Sequence, residues 1–385
     1  MPGLAWSQAA AEAVAGPAWR HEWRLGTVVG HNDNVTLEPA APVSSRFVAW
    51  QPAWSMRRED ARSQFGLSWR AELLRYFDRS VHNTDNQEAV AEGRHAIGDA
   101  AAAAWRVTVQ DWHDPVGSNS LARLSDDPDH FVAGAAGVVL RQDSADGGHR
   151  LEFEATVSNK RYQNHREVTV LGDVGTRSTV LRWERVRETG ARWMTEIRNV
   201  AADYPFKAAA LDNDDARLTT GFRLDSAPDA ERAHAVQVRV GIQRRTFSRL
   251  RPDVEGPTWD LQGRWQIGSG AWLDLSATRA VEVAPGDGAD NVTQRGWRAA
   301  WTQVWRPDLR STLGASGSGL QYRYGGFSDG LPRHDGVRAF DIGLRHDWSP
   351  GLSLTLTHAL GRRDSTDDAN DYRRRLTTLG VEWRL

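Results

Sequence analysis

The sequence predicts an all-β chain: a transmembrane antiparallel β-barrel of about 18 strands, with short periplasmic turns and longer extracellular loops. Three observations carry this reading. Apolar residues recur at every second position over most of the chain, which is the strand period and not the helical one. No uncharged apolar run approaches the roughly 18 residues a membrane helix needs, and mean hydropathy is −0.57. Eighteen tryptophans and 35 glycines stand beside no cysteine and three methionines. That mixture suits aromatic girdles at two membrane interfaces better than a soluble enzyme core.

Composition removes several other classes. The 48 basic and 50 acidic residues leave a net charge of −2, so no basic field points to nucleic acid. Without cysteine there is no disulfide scaffold, thiolate metal site or cysteine nucleophile. No cofactor motif is present, and none is expected.

In chain order, residues 1–18 read as a leader or flexible segment and 19–385 as the barrel. The opening stretch Met1–Pro17 is small and apolar with no Lys or Arg, unlike an intact signal peptide but compatible with the remnant of one. Clear period-two segments follow at Trp23–Gly30, Val48–Met56, Phe65–Phe77, Ala103–Gln110, Leu151–Ser158, Ala216–Leu224 and His234–Arg245. Others follow at Trp259–Ile267, Trp272–Val283, Trp297–Trp305, Phe340–Trp348 and Leu352–Leu360. Weaker alternation marks Ala89–Ile97, Phe131–Leu140, Thr179–Arg187, Ala191–Ala202 and Leu313–Tyr324. Each is close to the 9–11 residues a tilted strand needs to cross a bilayer. Gly314, Gly317 and Gly319 in the last of these predict a flexible or bulged strand, or a wall open to close packing of a loop.

Connections alternate in length. Turn residues make short links at Gly98–Asp99, Ser144–Gly148, Glu188–Gly190, Gly268–Gly270, Arg306–Leu309 and Ser349–Gly351. Longer polar links lie between them, as at His31–Pro42, Asp114–Asp129, Arg161–Thr176, Asp203–Asp215, Ser248–Gly256, Pro285–Asn291, Gly325–Gly336 and Arg363–Asp371.

The two faces differ in kind. The apolar face carries tryptophans at strand ends, among them Trp23, Trp50, Trp54, Trp105, Trp259, Trp297, Trp348 and Trp383. The ring of tryptophan suits a boundary with one wet edge. The other face is heavily charged, which a soluble sandwich would not bury. The final strand alternates Leu379, Val381, Trp383 and Leu385, similar to the C-terminal insertion signal of outer-membrane barrels, although Leu replaces the usual final Phe. Outer-membrane lipids and the barrel-assembly machinery are therefore expected partners.

The stretch Gly30-His31-Asn32-Asp33-Asn34-Val35, directly after Trp23–Val29, resembles the opening of a family of outer-membrane β-barrel porins linked to exopolysaccharide operons. The resemblance implies an integral outer-membrane barrel that passes a secreted, often anionic, polysaccharide with periplasmic export proteins as partners. It implies no catalytic residues. A general or small-solute porin, and a closed structural or adhesion barrel, are the alternatives.

On the wall from Thr179 to Ile267, Arg182, Arg198, Arg217, Arg223, Arg239, Arg245 and Arg264 share the polar face. Glu184, Glu196 and Asp260 are the acids expected there, so the wall should be locally basic and suit a sliding anionic chain. The opposing expectation is that these arginines pair with Glu152, Glu154, Glu184, Glu196 and Asp260 and stiffen the barrel. Serine–histidine pairs (His113 with Ser118 or Ser120, His358 with Ser353 or Ser365) and aspartate–histidine pairs (His31 with Asp33, His334 with Asp335) are the only hydrolase candidates. The acidic runs at Asp126–Asp129, Asp212–Asp215 and Asp364–Asp371 lack calcium-loop spacing.

Overall fold

The computed structural model describes residues 18–117, 126–187, 190–206, 210–226, 233–248, 251–283, 291–323 and 332–385. The expected leader over 1–17, the turn at Glu188, the loops over 285–290 and 325–331, and the hydrolase candidates Ser118 and Ser120 lie outside the described residues.

The first six strands are β1 (Arg20–Asn32), β2 (Ser45–Glu59), β3 (Ser63–Tyr76), β4 (Thr84–Ile97), β5 (Ala101–Asp114) and β6 (Asp129–Asp143). Next come β7 (His149–Tyr162), β8 (Val174–Val186), β9 (Ala191–Asp203), β10 (Asn213–Asp225), β11 (His234–Phe247) and β12 (Val254–Gly268). The last six are β13 (Ala271–Glu282), β14 (Asn291–Arg306), β15 (Leu309–Arg323), β16 (His334–Ser349), β17 (Leu352–Ser365) and β18 (Tyr372–Arg384). They form one 18-stranded antiparallel sheet in which every strand bonds its chain neighbours and β1 also bonds β18. Closure leaves no sheet edge, the condition for a sheet to lie in lipid.

The strands run 12 to 16 residues, longer than the expected bilayer-spanning length. The extra length lies largely on the long-loop side, as Asn213 and Asp215 of β10 and Arg363–Ser365 of β17 show. Backbone pairing continues past the membrane because it remains the simplest way to satisfy amide groups. The link at 77–83, which is not among the polar links expected from the sequence, holds a short helical turn at Ser80–His82.

Both ends of the β1–β18 seam are clamped. At the short-turn end, Trp23 N donates to Leu385 O at 3.2 Å and Leu385 N to Trp23 O at 2.9 Å. At the long-loop end, buried Asn34 donates to Arg373 O at 2.9 Å and to Glu38 O at 2.8 Å, and accepts from Glu38 N at 3.0 Å. Asn32 Oδ1 in turn accepts from Asn34 N. The Asn32–Asn34 stretch that carries the porin resemblance is thus the staple that ties the first loop to the last strand.

The molecule inverts the usual distribution of polarity. Its largest fully buried side chains are Gln243, Asn34, Asn291, Thr169, Asp129 and Asp215, all polar. Val240, Ile242, Ile197, Leu379, Val381 and many other large apolar side chains are exposed. A soluble protein would not leave so continuous an apolar surface in water. Strand register places that surface on the convex side. Arg239 of β11 meets Glu196 of β9 at 3.2 Å, Arg217 of β10 meets Glu282 of β13 at 3.4 Å, and Arg345 of β16 meets Glu382 of β18 at 3.4 Å. Side chains can span an intervening strand in this way only on the concave side.

The aromatic girdle is uneven. Trp23, Trp54, Trp105, Trp183, Trp193, Trp265, Trp348 and Trp383 face outward near the short-turn end. Trp50, Trp259 and Trp297 face outward on the loop half. The expected bulge at Gly314–Gly319 is absent, since β14 and β15 pair without a register shift from Asn291 to Val304. Two of the glycines make room for neighbours instead: a Cβ on Gly314 would lie 2.4 Å from the Asp341 carboxylate, and one on Gly317 2.7 Å from Trp297 Nε1.

Candidate functional site

The concave wall from β7 to β14 carries the charged residues singled out in the sequence, and alternation along each strand puts them there. Arg182 sits between Glu152 at 2.5 Å and Glu196 at 2.8 Å. Arg239 bridges Glu196 at 3.2 Å and Asp260 at 3.1 Å. Arg217 binds Asp215 at 2.7 Å and Glu282 at 3.4 Å, and Arg245 binds the same two acids at 2.9 and 3.6 Å. Arg223 pairs with Asp225 at 2.9 Å and Arg264 with Asp274 at 3.5 Å.

The locally basic wall expected from the sequence is therefore largely neutralised by pairing. Asp215, Asp225, Asp274 and Glu282 are partners beyond the acids expected from the sequence. Asp215, at the end of the expected polar link Asp203–Asp215, lies inside β10, where Asn213, Asp215 and Arg217 continue the period-two pattern that signals it. Glu154 makes no arginine contact among the described residues and accepts from Thr156 Oγ1 at 3.4 Å. Glu184 lies 3.7 Å from Arg150 and 3.9 Å from Arg192.

Arg198 differs from the other six. It stands directly opposite Arg217 in register and has no ion-pair partner among the described residues. Its Nε is buried without a hydrogen-bond partner. Arg298 of β14, outside the wall expected from Thr179 to Ile267, likewise faces the concave side with no acid partner among the described residues.

Arg298 belongs to a continuous polar row. Register aligns Arg223, Gln237, Gln262, Ser276, Arg298 and Ser316 across β10 to β15. A cavity of about 300 Å³ opens over this row, lined also by Arg264 and Asp274. Guanidinium forks, side-chain amides and hydroxyls are the donors that hold carboxylates and sugar hydroxyls. A second concave recess, of about 470 Å³, is lined by Arg70, Glu72, Trp112, Arg345, Thr355, Thr357 and Thr378. There the Arg70 guanidinium lies 5.5 Å over the Trp112 ring.

Among the described residues the hydrolase candidates do not assemble, and Ser365 donates to Asp335 at 2.6 Å. His358 faces outward and bonds Thr377 Oγ1 at 2.8 Å, while Ser353 is buried on the concave side. His334 faces outward, whereas Asp335 is buried against Arg333 at 2.6 Å and Arg363 at 3.4 Å. His31 is exposed on the convex side, and the Asp33 side chain instead accepts from Arg375 N at 2.5 Å. The acidic runs are committed elsewhere. Asp127 and Asp129 hold the two ring nitrogens of His165 at 2.8 and 2.7 Å, and Asp212 accepts from Tyr204 N at 2.7 Å.

A closed barrel with a greasy convex face and a charged concave lining meets a family match that covers the strands. The model described as "Putative beta-barrel porin 2" matches residues 24–385. The chain belongs to this beta-barrel porin family. As a porin of this kind it is an integral outer-membrane protein. No curated protein matches the chain. Solved barrels do, at the level of fold. Pseudomonas aeruginosa OccK2 (OpdF), solved in complex with glucuronate, superposes with a TM-score of 0.54 at 11% identity, covering 95% of this porin and 98% of that chain. Acinetobacter baumannii OccAB3 gives 0.52 at 11%, covering 95% and 99%. The outer membrane protein opdK from Pseudomonas aeruginosa gives 0.52 at 10%, covering 95% and 99%.

Proposed function

We propose that this porin passes small anionic solutes that also carry hydroxyl groups, and that it retards cations. The observation that carries the reading is the donor row from Arg223 to Ser316, within which Arg298 has no acid partner among the described residues. A free guanidinium facing a water-filled lumen raises the local concentration of anions. The row's amides and hydroxyls add weak contacts that release a solute again. Glucuronate, held by OccK2, belongs to that solute class. The exopolysaccharide cargo expected from resemblance finds no support in the family or in the solved barrels, while the small-solute alternative fits both. An acidic polysaccharide would present the same groups in series, so chain length is what separates the two cargoes.

Reversal potentials in a salt gradient test the proposal, together with uptake of glucuronate, glucose and an oligomeric uronate into vesicles. Anion selectivity should appear, fall in Arg298→Gln and fall further with Arg198→Gln. Glucuronate should enter faster than glucose, and the oligomer slowly. A non-selective or non-conducting barrel would sink the reading. Rapid oligomer uptake would restore the polysaccharide cargo.

A further inference from the structure

The convex face carries a feature that transport does not use. Arg338, Arg362 and Arg373 are directly opposite one another on β16, β17 and β18, all exposed on the lipid side at the long-loop end. Arg362 holds Asp364 at 2.5 Å. Arg338 and Arg373 have no acid partner among the described residues. Immediately below them on the same face lie Phe340 and Leu360, 42% and 40% exposed.

The group extends sideways at one level. Hydrogen-bonded rows climb around the barrel, as Leu356, Leu379, Val29, Val48 and Arg75 show, running from near the short-turn end of β17 to the loop end of β3. Strands about 4.8 Å apart and tilted about 40° make a row climb roughly 3 Å per strand, while two residues along a strand rise roughly 5 Å. On that arithmetic Arg295, Arg338, Arg362, Arg375 and Arg46 come within about 5 Å of one level. Arg375 is 4.0 Å from Asp33, and Arg295 and Arg46 have no acid partner among the described residues.

Like charges in opposed cross-strand positions destabilise a sheet. Next to hydrocarbon the repulsion is screened less than in water. A row of guanidiniums directly above an apolar band is stable when an anion lies between them. Its site is the boundary between acyl chains and headgroups in the outer leaflet.

We propose that this arginine rim binds the phosphate groups of a phosphorylated glycolipid, a lipopolysaccharide, in the outer leaflet. Several charges spread over neighbouring strands match a lipid with more than one phosphate and many acyl chains better than a single-phosphate lipid. Arginine forks grip phosphate in two bonds each. The inference concerns the outer surface and stands independently of what passes through the lumen.

The test uses the folded, detergent-solubilised barrel titrated with lipopolysaccharide, dephosphorylated lipopolysaccharide and phosphatidylglycerol, with bound lipid counted by native mass spectrometry. Wild type should bind lipopolysaccharide at least tenfold more tightly than either comparison lipid. The combined R338Q, R362Q and R373Q variant should lose that preference, the corresponding triple lysine variant should keep most of it, and Arg374→Gln on the inner face of β18 should leave it unchanged. Should the glutamine variant not fold, the wild-type comparison of phosphorylated with dephosphorylated lipid still decides. Equal affinity for those two lipids overturns the proposal, as does wild-type binding by a folded glutamine variant. Equal affinity for phosphatidylglycerol would assign the rim to ordinary anionic lipid and overturn it as well.

Discussion

Placing an arginine at Val240 tests the lipid-facing assignment where it is most exposed to refutation. Val240 is 52% exposed on the convex face, between Thr220 of β10 and Trp259 of β12. It lies near the middle of β11, six residues from His234 and four from the outward Arg244. At about 3.4 Å per residue, Arg244 is roughly 14 Å away along the strand, about twice the reach of an arginine side chain. The new guanidinium could not reach either polar rim and should cost about 2–4 kcal/mol, the midplane value for barrels. Leu224 faces outward one residue from the short-turn end of β10, so Leu224→Arg should cost about 0–1 kcal/mol. Thr219 lies on the concave side opposite Glu196, where a longer side chain can extend into the lumen, so Thr219→Arg should cost less than Val240→Arg. Urea unfolding in lipid vesicles measures all three. Equal costs at Val240 and Thr219 would show that the convex face does not meet lipid, and equal costs at Val240 and Leu224 would refute the depth assignment.

Other expectations follow from the same contacts. Deleting Trp383–Leu385 removes the Trp23 clamp and should abolish insertion in cells, whereas Leu385→Phe should insert at least as well as wild type. Surface yield of each variant reads this directly. Asn34→Ala removes the bonds to Arg373 and Glu38 and should destabilise the seam by about 1–3 kcal/mol, measurable as a lowered urea midpoint. Burial disfavours a charge on His165, but its bonds to Asp129 and Asp127 outweigh that and raise its pKa above the usual histidine value. A raised pKa places the full stabilisation below the unfolded-state value and removes it as pH rises through the folded-state value. Protection factors in the loop between β7 and β8, which correct for the intrinsic pH dependence of amide exchange, should therefore be higher at pH 5.5 than at pH 8.5, and that difference should vanish in His165→Gln.

Strand count and face assignment were legible in the sequence because each depends on a local rule. A strand alternates its side chains whatever its neighbours are, so Val236, Val238, Val240 and Ile242 declare one face of β11 without any knowledge of β10 or β12. Closure of the barrel followed from the same pattern, since so much apolar surface tolerates no open edge. Pairing across the wall was not legible. Arg217 shares a face of β10 with Asp215, but whether it also stands beside Arg198 or Glu282 depends on register, and register sums the offsets of every turn between β9 and β13. That is why a run of arginines that reads as a basic ladder along the chain becomes a nearly neutral lattice in space, with Arg198 and Arg298 left over. The outward arginine rim was hidden for the same reason. Arg295, Arg338, Arg362 and Arg375 occupy unrelated positions in the chain, and only the tilt of the strands brings them to one height.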